Sequence, residues 1–129
     1  MISELKKIEC CTLFVENLAS TKAFYEDVFG LKVIFEDAVS VVLKLDNLMI
    51  NLLQISEAAQ LIEPAQVAAP SNGSRLVFTI LVQNVDSVCE KLQKHNVKLL
   101  NGPINRLWGR RTAAFTDPAG NAWEVAQEF

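Results

Sequence analysis

Few side chains in this sequence are equipped for chemistry, and their scarcity narrows what the chain can do. The single histidine, His95, stands between Lys94 and Asn96, where it reads as a solvated residue at a helix C-terminus, favourable to the helix dipole, rather than as a base or a ligand. Cys10 carries a thiol, but no histidine partner exists to deprotonate it, so it reads as a small buried hydrophobe rather than a nucleophile. Glu124 lies in Ala122-Trp123-Glu124-Val125-Ala126, an alternating run that puts Ala, Glu and Ala on one strand face. A carboxylate among apolar side chains resists ionisation and can serve as a general base, and Glu124 is the candidate catalytic residue on that ground. The competing reading neutralises it with Arg110 or Arg111. Trp108-Gly109-Arg110-Arg111 offers an indole to stack on a ligand and an arginine to meet an anionic group; the same residues would also suit a subunit interface. Three cysteines, two of them adjacent, do not suit a disulfide framework, and no CxxC pair or Cys/His cluster supports structural zinc. A reducing, cytoplasmic location is expected.

The elements that must position these residues occur twice. Thr12-Leu13-Phe14-Val15-Glu16-Asn17-Leu18 and Thr79-Ile80-Leu81-Val82-Gln83-Asn84-Val85 align at a constant offset of 67 residues (79 minus 12), with Ser20 falling on Ser87. Around the first copy, a strand at Ile8 to Val15 leads to a helix with Phe24, Val28 and Leu31 at i, i+4 and i+7, closed by Gly30. Strands at 32–36, 40–45 and 48–54 follow, the last two joined at Asp46-Asn47. Around the second, a strand at 76–82 leads to a helix bearing Val85, Val88, Cys89 and Leu92, entered through Asn84 or Asp86. Strands at 97–100, 111–116 and 122–127 complete it. Each half is βαβββ, an α+β pattern. One helix per unit cannot cover both faces of four strands, which leaves a concave surface free for a ligand. By parity, that surface receives Cys10, Thr12 and Phe14, then Met49, Asn51 and Leu53, then Val77, Thr79 and Leu81, and finally Glu124 with Ala122 and Ala126. The wall is mostly apolar, with Thr12, Asn51, Thr79, Glu124 and, depending on register, Arg111 as polar points. Phe14 and Phe115 read as lining or core.

At 129 residues, half of them hydrophobic, the chain has the size of one domain: repeat one at about 6–55, a connector at 56–74 rich in Ala, Pro, Gln and Ser with a short helix near 57–61, and repeat two at 75–129. The net charge of -3 is spread without blocks of one sign, which argues against nucleic acid as a partner. Charges interrupt the N-terminal stretch, and no apolar run approaches the ~20 residues of a membrane span. Neither export nor membrane contact is expected.

Four segments resemble the vicinal oxygen chelate superfamily of glyoxalases, extradiol dioxygenases and fosfomycin- and bleomycin-resistance proteins. They are Cys10 to Leu18 with Lys22-Ala23-Phe24-Tyr25 and Phe29-Gly30-Leu31, then Val82 to Asp86, then Trp108 to Arg111, and Phe115-Thr116-Asp117-Pro118-Ala119-Gly120-Asn121 with Trp123-Glu124. The resemblance implies two βαβββ repeats forming a curved, mixed eight-stranded half-barrel cup with helices on its outer face. It also implies a homodimer. Metal-dependent members bind a divalent ion through the first and fourth strand of each unit, positions that fall here on Cys10, Asn51, Val77 and Glu124. Valine has no donor atom and an amide is a weak ligand, so no metal site and no cofactor are expected, a divalent metal being the alternative. Two functions compete: a metal-independent protein binding a small, partly apolar ligand through Cys10, Thr12, Phe14, Asn51, Leu53, Val77, Thr79, Trp108, Arg111 and Glu124, or a metal-dependent lyase, isomerase or dioxygenase.

Overall fold

A computed structural model describes residues 1–129. The chain divides into two compact units, Met1–Val67 and Ala68–Phe129. The first contains β1 (Cys10–Val15), α1 (Leu18–Asp27), β2 (Val33–Glu36), β3 (Ser40–Lys44), β4 (Met49–Gln54) and α2 (Ile55–Ile62). The second contains a single 3-10 turn at Pro70–Asn72, then β5 (Phe78–Leu81), α3 (Val85–Lys94), β6 (Leu99–Asn105), β7 (Arg110–Thr116) and β8 (Ala122–Glu128). Each unit forms one four-stranded mixed sheet, in the orders β1-β4-β3-β2 and β5-β8-β7-β6. The βαβββ repeat is therefore real, and the fold is α+β with eight strands in two open sheets.

The repeated phrase marks the strand-to-helix corner. Asn17 caps α1 by accepting the Ser20 amide on Oδ1 at 3.0 Å, and Asn84 caps α3 by accepting the Ser87 amide at 3.0 Å. A second repeat-related pair secures the same corner. Gln54, at the end of β4, donates to the Glu16 carbonyl at 2.6 Å, while Gln127 near the end of β8 accepts the Val85 amide on Oε1 at 2.8 Å. Both helices reverse into the next strand through a positive φ, at Gly30 after α1 and at Asn96 after α3. The buried side of α1 is Thr21 and Tyr25 rather than the expected Phe24, which is only half-buried and stacks edge-on against Tyr25 at 5.2 Å.

Alternation decides the two faces of each sheet. In the first unit Leu13, Val15, Val41, Leu43, Ile50 and Leu52 are buried and make its core with Tyr25. In the second, Ala113, Phe115, Trp123 and Val125 pack with Val85, Cys89 and Leu92 of α3, and Trp123 lies 4.9 Å from Phe78. Phe115 is thus core. The turn before β8 is made by its own residue types: Asp117 Oδ1 accepts the Ala119 and Asn121 amides at 2.9 Å each, and Gly120 takes φ 90°.

Candidate functional site

The face of the first sheet that carries the candidate residues follows from its registers. Cys10 lies beside Met49, Thr12 beside Asn51 and Phe14 beside Leu53, so all six share one side, as the parity argument expects. Asn51 Nδ2 donates to Thr12 Oγ1 at 3.4 Å, and Asn51 Oδ1 is buried without a protein donor. Rotating the amide by 180° only transfers the unmet demand from the oxygen to the NH2 group, so either orientation leaves polar capacity to spare. Burial pushes the Cys10 thiol up, which keeps it protonated and poorly nucleophilic at neutral pH.

The second unit repeats this geometry with different chemistry. Thr79 pairs with Glu124 in register and Leu81 with Ala126, and Thr79 Oγ1 donates to Glu124 Oε1 at 2.9 Å. Thr79 is the offset-67 counterpart of Thr12, and Glu124 occupies on β8 the place of Asn51 on β4. Each sheet therefore carries one threonine bonded to one polar side chain at the same register. Around Glu124 the face is small and apolar, with Ala122 and Ala126 on its own strand and Ala114 opposite on β7.

The arginines are arranged differently from the sequence expectation. Arg111 pairs with Gln127, whose parity is opposite to that of Glu124, so its side chain joins the α3 side of the sheet. There its Nε and Nη2 grip Asp86 at 2.8 and 2.9 Å and Nη1 reaches Asn105 at 3.0 Å. Asp86 is held below the ordinary carboxylate value chiefly by that hydrogen bonding. Arg110 faces Glu128 and bonds it at 3.3 Å. The carboxylate partners of both arginines are thus Asp86 and Glu128, and Glu124 is met by Thr79 instead. Val77 precedes β5 and is 53% exposed, so the strand starts later than the sequence pattern suggests. His95 is the exposed C-cap residue of α3, as expected.

The residue that sequence reasoning missed is Arg106. It opens the β6–β7 hairpin, where its amide bonds the Arg110 carbonyl at 2.7 Å and its carbonyl accepts the Gly109 amide at 3.2 Å. Its side chain folds back over the Glu124 face, donating from Nε to Thr112 Oγ1 at 2.9 Å and from Nη2 to Asn101 Oδ1 at 3.0 Å. Thr112 and Asn101 belong to that face because they pair with Ala126 and Ala114. The guanidinium carbon sits 5.9 Å from the ring centre of Trp108, which is 68% exposed. The only sequence signal was an arginine two residues before a tryptophan and three before a turn glycine.

At the four positions where the resemblance implies metal ligands, the donors are one thiol, one amide and one carboxylate already bonded to Thr79, with none on Val77. Within neither unit do three His, Cys, Asp or Glu side chains gather into a metal-holding group. That donor set does not fit a borderline divalent ion, which is held by imidazole, thiolate and free carboxylate. A surface hollow of about 510 Å³ in the first unit, between Phe29, Leu31, Lys32, Ile34 and Lys44, contains none of the expected site residues.

Solved structures share this fold. A glyoxalase/bleomycin resistance protein/dioxygenase from Nocardioides superposes with a TM-score of 0.88 at 18% identity, covering 100% of this chain and 87% of that one. A lactoylglutathione lyase from Agrobacterium tumefaciens gives 0.75 at 23% identity over 93% and 92%, and a glyoxalase-related enzyme from Fulvimarina pelagi gives 0.82 at 19% over 96% and 89%. No curated protein matches the chain. The sequence profile described as Glyoxalase/Bleomycin resistance protein/Dioxygenase superfamily matches residues 7–125, and the chain belongs to that superfamily.

Proposed function

We propose that this protein binds a small, partly apolar molecule on the helix-free faces of its sheets and does so without a resident metal. The observation that carries the reading is the pair of threonine contacts, Thr12 with Asn51 and Thr79 with Glu124, set into otherwise apolar strand faces. Apolar walls supply affinity, and a few polar groups fix orientation, which is the usual make-up of a small-molecule site. Asn51 contributes an unsatisfied amide group, Glu124 an acceptor, and Cys10 an uncharged thiol. If the protein is also an enzyme, Glu124 is the group placed to move a proton, with Thr79 fixing its carboxylate.

Two further features belong to this reading. Three free thiols suit a reducing cytoplasm, and no helix is long and apolar enough to cross a membrane. A homodimer is favoured by the edge strand β5, which together with its approach presents Leu76, Val77 and Leu81 to solvent, an arrangement that benefits from cover.

The test combines metal analysis of the dialysed protein with thermal shift against flat aromatic compounds and glutathione adducts. Substoichiometric metal together with stabilisation by members of either set is expected. Stoichiometric zinc, nickel or iron surviving dialysis would overturn the metal-free reading, and a protein indifferent to every compound would overturn the binding one.

A further inference from the structure

We infer that Arg106 forms a subsite for a carboxylate or similarly planar anion, so that the ligand of the second sheet's open face is an anion with a flat apolar body. This rests on the proposed binding function and narrows it to a ligand class. The argument begins with how the guanidinium is used. Arginine has five N–H donors in a fixed plane. Arg106 spends the edge formed by Nε and Nη2 on two neutral oxygens, Thr112 Oγ1 and Asn101 Oδ1, at 2.9 and 3.0 Å. The other edge, Nη1 with the second hydrogen of Nη2, makes no hydrogen bond within the protein.

Charge separates Arg106 from its neighbours. Arg110 and Arg111 are each matched to a carboxylate, Glu128 and Asp86. Arg106 has no such partner, although it is half-buried and its plane is fixed at two points. Neutral acceptors orient a guanidinium without cancelling its charge, and the end-on edge left over is the fork that meets a carboxylate with two parallel bonds. The exposed indole of Trp108, 5.9 Å from the guanidinium carbon, supplies a flat surface beside the fork. The cation, its two positioning acceptors and the indole all come from β6, β7 and their hairpin. The subsite is therefore complete within the second unit.

The experiment titrates the full chain with 2-naphthoate and, as a neutral counterpart of the same shape, 2-naphthamide. Binding is followed by calorimetry and by the Arg106 side-chain Nη1–H resonance. Naphthoate is expected to bind at least roughly tenfold tighter than the amide, as charge-assisted bidentate pairing implies, and to move that resonance. In R106Q the preference is expected to vanish, naphthoate falling to about the affinity of naphthamide for the same variant. N101A, which frees the guanidinium from one anchor, is expected to weaken naphthoate selectively and supplies the answer should R106Q fold poorly. Equal binding of the two probes, naphthoate binding undiminished in R106Q, or a still Nη1–H signal under saturating naphthoate would each overturn the subsite. Naphthamide binding with no preference for the anion would remove the subsite alone, whereas indifference to both probes would remove the binding reading with it.

Discussion

Replacing the two capping asparagines tests whether the internal repeat is a repeat of physics as well as of letters. N17A and N84A each delete one Oδ1 acceptor for a helix amide bonded at 3.0 Å. The other contacts at the first corner, from the Ser20 and Thr21 hydroxyls to the Asn17 backbone carbonyl and from Gln54 to the Glu16 carbonyl, do not use the Asn17 side chain, so they survive the substitution and the loss isolates the cap. Each change should cost about 1 kcal/mol, with N17A the costlier because α1 has no acidic residue in its first turn whereas α3 keeps Asp86. For 129 residues melting as one unit, 1 kcal/mol corresponds to about 4 °C in Tm. The sites lie in separate units and share no partner, so the double variant should lose about 2 kcal/mol, near the sum. Urea unfolding of the wild type, both single variants and the double variant reads these values, with N17D as a control that keeps an acceptor. The reasoning fails if N17A costs less than ~0.3 kcal/mol, or if N17D is as damaging as N17A.

Other perturbations address separate parts of the argument. G102A should destabilise by upwards of ~3 kcal/mol, since φ is 90° there and a Cβ would collide with the Thr112 carbonyl oxygen; G30A, at φ 67° with open space around it, should cost about 1 kcal/mol, and equal urea midpoints would refute the contrast. Asp86 is depressed chiefly by Arg111, so its contribution is present above the unfolded carboxylate value of about 4 and fades as pH falls through the lower folded value. D86N should therefore flatten part of the acid limb of stability, and parallel wild-type and D86N curves below pH 4 would count against the pair. Cys89 is buried and its thiol is pushed up by that burial, so iodoacetamide at neutral pH should label it only as fast as the protein unfolds, a rate that mass spectrometry can follow.

Local chemistry and alternation were readable in the sequence because they act over short distances. The twin phrase announced two strand-to-helix corners, since each depends on neighbours within four residues. Parity placed Thr12, Asn51, Thr79 and Glu124 on the correct faces for the same reason. Cross-strand register was not readable. The sequence reading ended the sixth strand at Leu100, but β6 continues to Asn105 by shifting register on both sides of Asn101, and that shift is what brings Asn101 and Thr112 to Arg106. Whether Arg110 or Arg111 faced Glu124 depended likewise on β7 pairing, which no local pattern encodes.

Comparing the halves with each other separates scaffold from site. The positions that match across the repeat, Asn17 with Asn84, Ser20 with Ser87 and Gln54 with Gln127, all close corners between strand and helix. Thr12 and Thr79 also match, but they act in opposite senses, one accepting from an amide and the other donating to a carboxylate. The partners of those threonines differ altogether, Asn51 against Glu124, and the residue two before each threonine differs too, Cys10 in β1 against Val77 ahead of β5. Folding demands the same corner in both units, and both units have it. No folding requirement distinguishes an amide from a carboxylate on the threonine-bearing side of the sheet, so under the proposed binding function the difference there would belong to what each face binds. The Arg106 fork adds to that asymmetry, because its two anchors and its indole have been drawn entirely from the second unit.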